Sequence, residues 1–367
     1  MAAYTTIDNP ELYFQVKIWT GTGSSNALTL DGDEDMQPDW VMIKQRSGTQ
    51  QWNGYDVVRG VQKYIGWNTG ILENTQAQGL TAFGSNGFTV GTDDMVNGSS
   101  ETYVAYCWKA GTSFTNDASA TSVGNTDSSG SASSTAGFSI SKWVGAGASL
   151  DIQVKHGLSA VPAVMITKNI EEGGAGNHWA VYHHRNTSAP ETDYLKLSDN
   201  VATTDEATVW ADTAPTSTVF TGGDFSGSNR ANDDFVGYFW NEVQGYSKFG
   251  SYTGNGNADG TFVYTGFRPS WVMVKLTSGT DNWNIVDNKR EPSNVADNTM
   301  RANLNNAEYT GTAYGVDILS NGFKLKTTDG NFNGDGSTYV FLAFAESPFV
   351  VVKAFVKVVV DLIGVMS

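Results

Sequence analysis

Oxygen-bearing side chains at alternate positions can encircle calcium, and the chain carries such a run at Asp329-Gly330-Asn331-Phe332-Asn333-Gly334-Asp335. Asp329, Asn331, Asn333 and Asp335 are the candidate ligands. A calcium loop needs an acidic residue at its twelfth position, where this chain has Val340, so a plain Asn/Asp/Gly hairpin turn competes with the metal reading. Trp52, Trp179 and Trp283 follow polar turns. An indole face stacks on a sugar ring, so these three are the candidate glycan contacts, with core packing as the competing reading. All four histidines, His156, His178, His183 and His184, fall in the middle third. A metal site would combine His178 with His183 or His184, but neighbours on a strand point to opposite faces, and exposed or half-buried polar roles are the simpler expectation. No Gly-x-Ser-x-Gly, Walker A, Gly-x-Gly-x-x-Gly or His-Glu-x-x-His pattern occurs, and no catalytic residue is assigned. Acid pairs such as Asp93-Asp94 and Asp233-Asp234 connect to no glycosidase spacing, which leaves a polysaccharide depolymerase the weakest reading.

The elements that must hold these residues are strands. Gly is frequent at 41 residues and Pro scarce at 8, and Gly, Asn, Asp, Ser and Thr separate short runs of Val, Ile, Thr and aromatics. That texture predicts an all-β protein with many tight turns. Aromatics make up 12 %, enough to build real cores despite a charged fraction of only 16 %. The net charge of −16 repels nucleic acid and anionic membranes, and neither is an expected partner. The single cysteine, Cys107, excludes an intramolecular disulfide and a cysteine-based zinc site, and reads as a small buried hydrophobe. The N-terminus lacks the basic and apolar regions of a secretory signal, so assembly in a cytoplasm is expected.

Internal repetition is the strongest signal. A first copy runs through Phe14-Gln15-Val16-Lys17-Ile18-Trp19, Gln37-Pro38-Asp39-Trp40-Val41-Met42-Ile43-Lys44, Gln51-Trp52-Asn53, Ser85-Asn86-Gly87-Phe88 and Thr102-Tyr103-Val104-Ala105-Tyr106. A third copy answers with Ser251-Tyr252-Thr253-Gly254-Asn255-Gly256, Arg268-Pro269-Ser270-Trp271-Val272-Met273-Val274-Lys275, Asn282-Trp283-Asn284, Ser320-Asn321-Gly322-Phe323 and Thr338-Tyr339-Val340-Phe341. Trp40 to Trp52 and Trp271 to Trp283 both span 12 residues. The second copy is diverged: Val164 replaces the expected Trp and the Ser-Asn-Gly-Phe element is absent. The turns Gly21-Thr22-Gly23, Gly145-Ala146-Gly147 and Gly254-Asn255-Gly256 recur once per copy, which marks them as architecture.

Three tandem antiparallel β-sandwich modules are therefore expected, at 1–110, 137–248 and 249–349. Residues 111–136 are rich in Ser, Gly and Thr and read as a flexible or loosely draped linker. The short junction Gly245–Gly250 implies that the second and third modules pack rigidly. Residues 350–367 form a distinct apolar segment. Lys353, Lys357 and Asp361 argue against a membrane span. Their spacing of four suits one stripe of a helix or one face of a strand, and the valines favour a strand. So apolar a tail is expected to be buried against a neighbouring chain, through Val352, Phe355, Val356, Val359, Leu362 and Ile363.

The runs Gln37–Lys44, Tyr55-Asp56-Val57-Val58-Arg59-Gly60, Tyr103–Gly111, Gly245–Gly256 and Ala343-Phe344-Ala345-Glu346 together resemble a repeat family from virions of tailed phages. Its members are tail-fibre, tail or capsid-associated proteins with lectin-like, concanavalin-type or jelly-roll sandwiches. The likeness covers roughly residues 4–349, and the apolar tail departs from it. It implies a virion structural protein, a surface fibre, spike or decoration subunit contributing to host attachment. The partners implied are other virion proteins, host surface glycans and further copies of the chain, a homotrimer by analogy with fibres. A carbohydrate-binding adhesin is the alternative.

Overall fold

The computed structural model describes residues 5–347 apart from Ser149 and Ala175. The candidate oligomerisation residues of the 350–367 tail lie outside the described residues. The first module contains β1 (Phe14–Thr20), β2 (Asn26–Thr29), β3 (Trp40–Gln45), β4 (Asn53–Asp56), β5 (Lys63–Tyr64), β6 (Asn74–Thr75), β7 (Leu80–Gly84), β8 (Gly87–Val90), the helical turn α1 (Asp94–Asn97) and β9 (Thr102–Trp108). Next come β10 (Thr112–Asn116), α2 (Ala118–Thr121), β11 (Ser128–Ser133), β12 (Phe138–Val144), β13 (Ile152–Lys155), β14 (Val164–Asn169), β15 (Ala180–His183), β16 (Asp193–Lys196), β17 (Thr204–Asp205), β18 (Val219–Gly222) and β19 (Asp234–Trp240). The third module contains β20 (Ser247–Thr253), β21 (Phe262–Tyr264), β22 (Arg268–Leu276), β23 (Trp283–Asp287), β24 (Asn298–Arg301), β25 (Tyr309–Thr310), β26 (Val316–Leu319), β27 (Gly322–Leu325), α3 (Gly330–Asn333) and β28 (Thr338–Ser347).

The chain is all-β and its strands pair antiparallel. Each module has a larger sheet: β1-β9-β3-β4, then β10-β11-β12-β19-β14-β15-β16-β17, then β20-β28-β22-β23-β24-β25. A smaller sheet lies across each: β2-β8-β7, β13-β18 and β21-β27-β26. The space between the two layers is filled by a private core, for example Val41, Ile43, Phe88 and Tyr103 in the first module and Val272, Val274, Phe323 and Tyr339 in the third.

The opposite faces of the three larger sheets meet in one shared core. Trp40 and Met42 alternate with Val41 and Ile43 along β3, and the first pair points into the shared core. Val164 and Ile166 do the same on β14, and Trp271 and Met273 on β22. An apolar run without polar alternation belongs to a strand buried on both faces, and these central strands are such runs. The expectation of modules in tandem is thus corrected in one respect: they close around common aromatic packing. Trp40 stacks on Tyr238 with centroids 4.1 Å apart. Phe14 stacks on Phe344 at 5.0 Å, and Trp108 meets Trp271 edge-on at 5.8 Å.

Residues 111–136 are also corrected. They are built into the fold, as β10 and β11 on the edge of the second module's sheet. Their small side chains serve close packing: a Cβ on Gly130 would lie 2.0 Å from the Ile140 carbonyl oxygen and 2.8 Å from the Phe114 ring, and one on Gly157 2.5 Å from the same ring. Composition that reads as flexibility is here the condition for laying Phe114 flat on a sheet.

Candidate functional site

The sequence candidates converge on the seams between modules. Trp52, Trp179 and Trp283 each stand at the entry to an equivalent strand, just before β4 and β15 and at the start of β23, and all three are fully buried. Their faces are closed to solvent, so the expected sugar stacking is corrected. What the structure gives them instead is a cyclic set of bonds. Trp52 Nε1 donates to the Arg301 carbonyl in the third module at 2.9 Å. Trp179 Nε1 donates to Gly66 O in the first at 2.8 Å. Trp283 Nε1 donates to Lys196 O in the second at 2.9 Å. A second cycle runs through the backbone in the opposite sense. Glu73 N donates to Ile170 O, Thr203 N to Thr277 O and Glu308 N to Arg46 O, at 2.8, 3.0 and 2.8 Å. Two cycles of equivalent bonds define a pseudo-threefold ring within one chain.

Beneath two of the seams lies a buried ionic cluster absent from the sequence reading. Asp56 Oδ2 accepts from Arg59 Nε at 2.6 Å and from the Tyr238 hydroxyl of the second module at 2.7 Å. Asp287 Oδ2 likewise accepts from Arg290 Nε at 2.5 Å and from Tyr106 of the first module at 3.0 Å. Glu73 and Glu308 complete the clusters against Arg59 and Arg290. Burial opposes each guanidinium charge, but the adjoining carboxylates and tyrosines outweigh it and raise both arginine pKa values. Burial, helped by the adjoining carboxylates and opposed by the arginines, pushes the Tyr106 and Tyr238 phenols well above their ordinary range. A signal was available: Asp-x-x-Arg stands 16 residues after Trp40 and again 16 after Trp271.

At the second–third seam the cluster is replaced residue for residue. The strand registers put His183 where Asp56 and Asp287 stand, and Leu342 where Tyr106 and Tyr238 stand. Asn186 takes the arginine position and bonds Thr203, the counterpart of Glu73, at 2.6 Å. His183 is fully buried, a correction to the expectation of exposed or half-buried histidines; its Nε2 lies 3.2 Å from Phe341 O and its Nδ1 accepts from Arg185 N. Burial, then His184, lowers its pKa to about 3. His184 Nε2 lies 2.7 Å from Phe249 O, while half-buried His178 stands apart from both contacts. His156, also fully buried, accepts from Leu158 N through Nδ1. His156, His183 and His184 therefore act as packing and seam residues, and among the described residues no group of three or more His, Cys, Asp or Glu is arranged to hold a metal ion.

The calcium-like run folds as a capped turn. Asp329 Oδ1 caps α3 by accepting from Asn331 N at 2.8 Å, as Asp93 caps α1 through Met95 N at 2.9 Å. Asn331 Nδ2 also donates to Asp329, and Asp335 is exposed. Asn333 is buried and saturated, its amide donating to Asn255 Oδ1, Asn257 O and Thr327 O while its oxygen accepts from Asn255 N. Asn97 and Asn229 make the same bonds to Gly21-Thr22-Gly23 and Gly145-Ala146-Gly147. That repeated lock explains the repeated glycines. A Cβ on Gly21, Gly145 or Gly254 would lie 2.1, 2.1 or 2.3 Å from a carbonyl oxygen of the facing turn. Of the four calcium candidates, Asp329, Asn331 and Asn333 are thus engaged in local hydrogen bonds, and Asp335 stands exposed beside them.

Three lysines hold equivalent places at the far ends of β3, β14 and β22. Lys44, Lys168 and Lys275 are fully buried and donate to backbone carbonyls, Lys44 to Gln45 O at 2.6 Å, Lys168 to Asn177 O at 3.0 Å and Lys275 to Leu276 O at 2.6 Å. Burial lowers their pKa values to about 7, 7 and 8. Cys107 is buried in the first private core, and burial pushes its thiol up, away from reactivity.

No curated protein and no solved structure matches the chain. The family model described as a domain of unknown function, DUF7483, matches residues 9–348, a span that takes in all three modules, and the chain belongs to that family.

Proposed function

We propose that this protein is a structural subunit of a virion surface, a fibre, spike or decoration component of a tailed phage. The observation that carries the reading is the ring itself. Its polar and aromatic investment, including Trp52, Trp179, Trp283 and the two Asp-Arg-Tyr clusters, is spent on joining modules to one another. Such a body offers a rigid block with its outer loops free for contact. The sequence resemblance to virion repeats, the acidic net charge of −16 and the all-β architecture support the same reading. Labelling purified virions with an antibody to this chain and viewing them by electron microscopy tests it. Discrete label on head or tail is expected; particles free of label and of the protein would overturn it.

One observation favours a carbohydrate-binding role within that setting. Phe262 and Tyr264 are exposed at 44 % and 61 % and stand two residues apart on β21, on one face of the strand. Exposed aromatic pairs suit sugar stacking. Glycan-array binding that is lost in Tyr264→Ala supports the role, and an array without binding counts against it.

A further inference from the structure

Equivalence of the three modules lets two of them serve as controls for the third. Their smaller sheets align on one buried pair: Leu28 faces Phe88, Val154 faces Phe220 and Val263 faces Phe323. Directly opposed residues share a face of a sheet, and so do residues two apart on a strand. The outward face in the third module therefore carries two rows, one of Phe262, Lys324 and Asp317 and one of Tyr264, Gly322 and Leu319. The same rows in the first module are Ala27, Thr89 and Ala82, then Thr29, Gly87 and Gly84. In the second they are Gln153 with Thr221 and Lys155 with Val219.

Small and polar residues satisfy the fold at these places, so the bulk of the third face is not a requirement of the module. Phe262 and Tyr264 stand 44 % and 61 % exposed. A Cβ on Gly322 would lie 3.1 Å from Phe262 Cζ, so that ring reaches the backbone of the neighbouring row. The two aromatics are about 7 Å apart along the strand, which gives a chain of sugars two places to stack.

Charge defines the ligand. Lys324 and Lys326 both pair with Asp259, at 2.6 and 3.6 Å, and Asp317 lies across from Lys324. Two cations and two carboxylates thus balance at this patch, on a chain whose net charge is −16. The field of the whole molecule repels an anionic ligand and a second copy alike. Exposed aromatic rings beside balanced donors and acceptors suit an uncharged ring bearing hydroxyls. We propose that the outward face of the third module's smaller sheet binds a neutral oligosaccharide, which stacks on Phe262 and Tyr264 while Lys324 and Asp317 hold its hydroxyls; this rests on the carbohydrate-binding role above and adds the charge class of the ligand and its polar contacts.

A glycan array read with the full chain, its members sorted by charge, tests this. Neutral oligosaccharides are expected to bind, and those bearing uronic or sialic acids to fail. Two variants borrow the first module's own residues, which that module's fold accepts: the double Phe262→Ala, Tyr264→Thr and the single Lys324→Thr. The double variant is expected to weaken neutral binding at least ~10-fold and Lys324→Thr to weaken it less, with melting temperatures unchanged. Acidic glycans that bind while neutral ones fail would overturn the charge class and leave the carbohydrate role standing. Neutral binding that survives both variants would overturn the site alone. An array without binding would overturn the site and the carbohydrate role together. Self-association of the parent that the double variant abolishes, with no glycan bound, would assign the face to a second copy and overturn the sugar.

Discussion

Trp283 reaches out of the third module and donates its indole N–H to the carbonyl of Lys196 in the second, 87 residues away in sequence, at 2.9 Å. The same bond recurs from Trp179 to Gly66 and from Trp52 to Arg301. Replacing any of these indoles by Phe keeps most of the packing and strands a buried carbonyl. Each Trp→Phe variant is expected to lose about 1–3 kcal/mol, and each Trp→Ala about 3–5 kcal/mol. Urea denaturation midpoints check both. Three losses of similar size indicate equivalent seams, and a negligible loss at one would remove it from the cycle.

The ionic clusters make the seams unequal. Asp287→Ala leaves the Arg290 guanidinium buried without its main partner, and Asp56→Ala does the same to Arg59. Each is expected to cost about 3–5 kcal/mol. His183→Ala removes a neutral ring from the equivalent place and is expected to cost less. The same urea series measures all three, and a larger loss at His183 than at Asp287 would contradict the assignment.

Acid acts on the second–third seam through His183. Its folded pKa lies at about 3, below the ordinary 6.5 of an imidazole in water, so the unfolded chain binds a proton that the folded chain refuses. Stability from this group is intact above pH 6.5 and declines as pH falls toward 3. Protonation would also turn Nδ1 from an acceptor of the Arg185 N–H into a second donor. His184, Arg185, Glu242 and Lys248 are the charged or titratable groups around this contact. Melting temperatures between pH 4 and 7 are expected to vary less steeply in His183→Gln than in the parent.

The buried lysines set a slope on the alkaline side. Burial brings the pKa values of Lys44, Lys168 and Lys275 to about 7, 7 and 8 in the folded chain, against 10.5 for an ordinary lysine in water. Between those limits the unfolded chain holds the extra proton, so stability is lost as pH falls from 10.5 and regained as it rises. The melting temperature is expected to climb from pH 7 to 9, and Lys44→Met to climb less. A parent curve flat across that range would contradict this account.

The capped turn at Asp329 gives a metal test. With Asn333 saturated by protein partners, adding calcium or chelator is expected to leave the melting temperature unchanged. Asn333→Asp deletes three donated hydrogen bonds and is expected to destabilise by about 1–3 kcal/mol without gaining calcium dependence. A calcium-dependent rise in the parent would restore the metal reading.

Local features were legible in the sequence, and distant ones were not. The Gly-x-Gly turns repeat because a carbonyl passes within 2.1–2.3 Å of where a Cβ would be, a constraint that acts wherever the module folds. Trp40-Val41-Met42-Ile43 announces a strand buried on both faces, but nothing in it says that the second face belongs to a common core. The fate of Trp52 depends on Arg301, 249 residues away, and no spacing rule reaches that far. Residues 111–136 misled because Ser and Gly suit a loose linker and a tightly packed edge equally well. The Asp-x-x-Arg pairs were visible as a repeat, but their meaning required the tyrosines that other modules contribute.

Three modules close into one body around shared aromatic packing. Equilibrium unfolding followed by tryptophan fluorescence and by circular dichroism tests it most directly, because Trp40, Trp108, Trp240 and Trp271 all report from the shared core. One transition, coincident in both signals, is the predicted result. Three separable transitions, or modules that fold alone when expressed singly, would contradict the shared core.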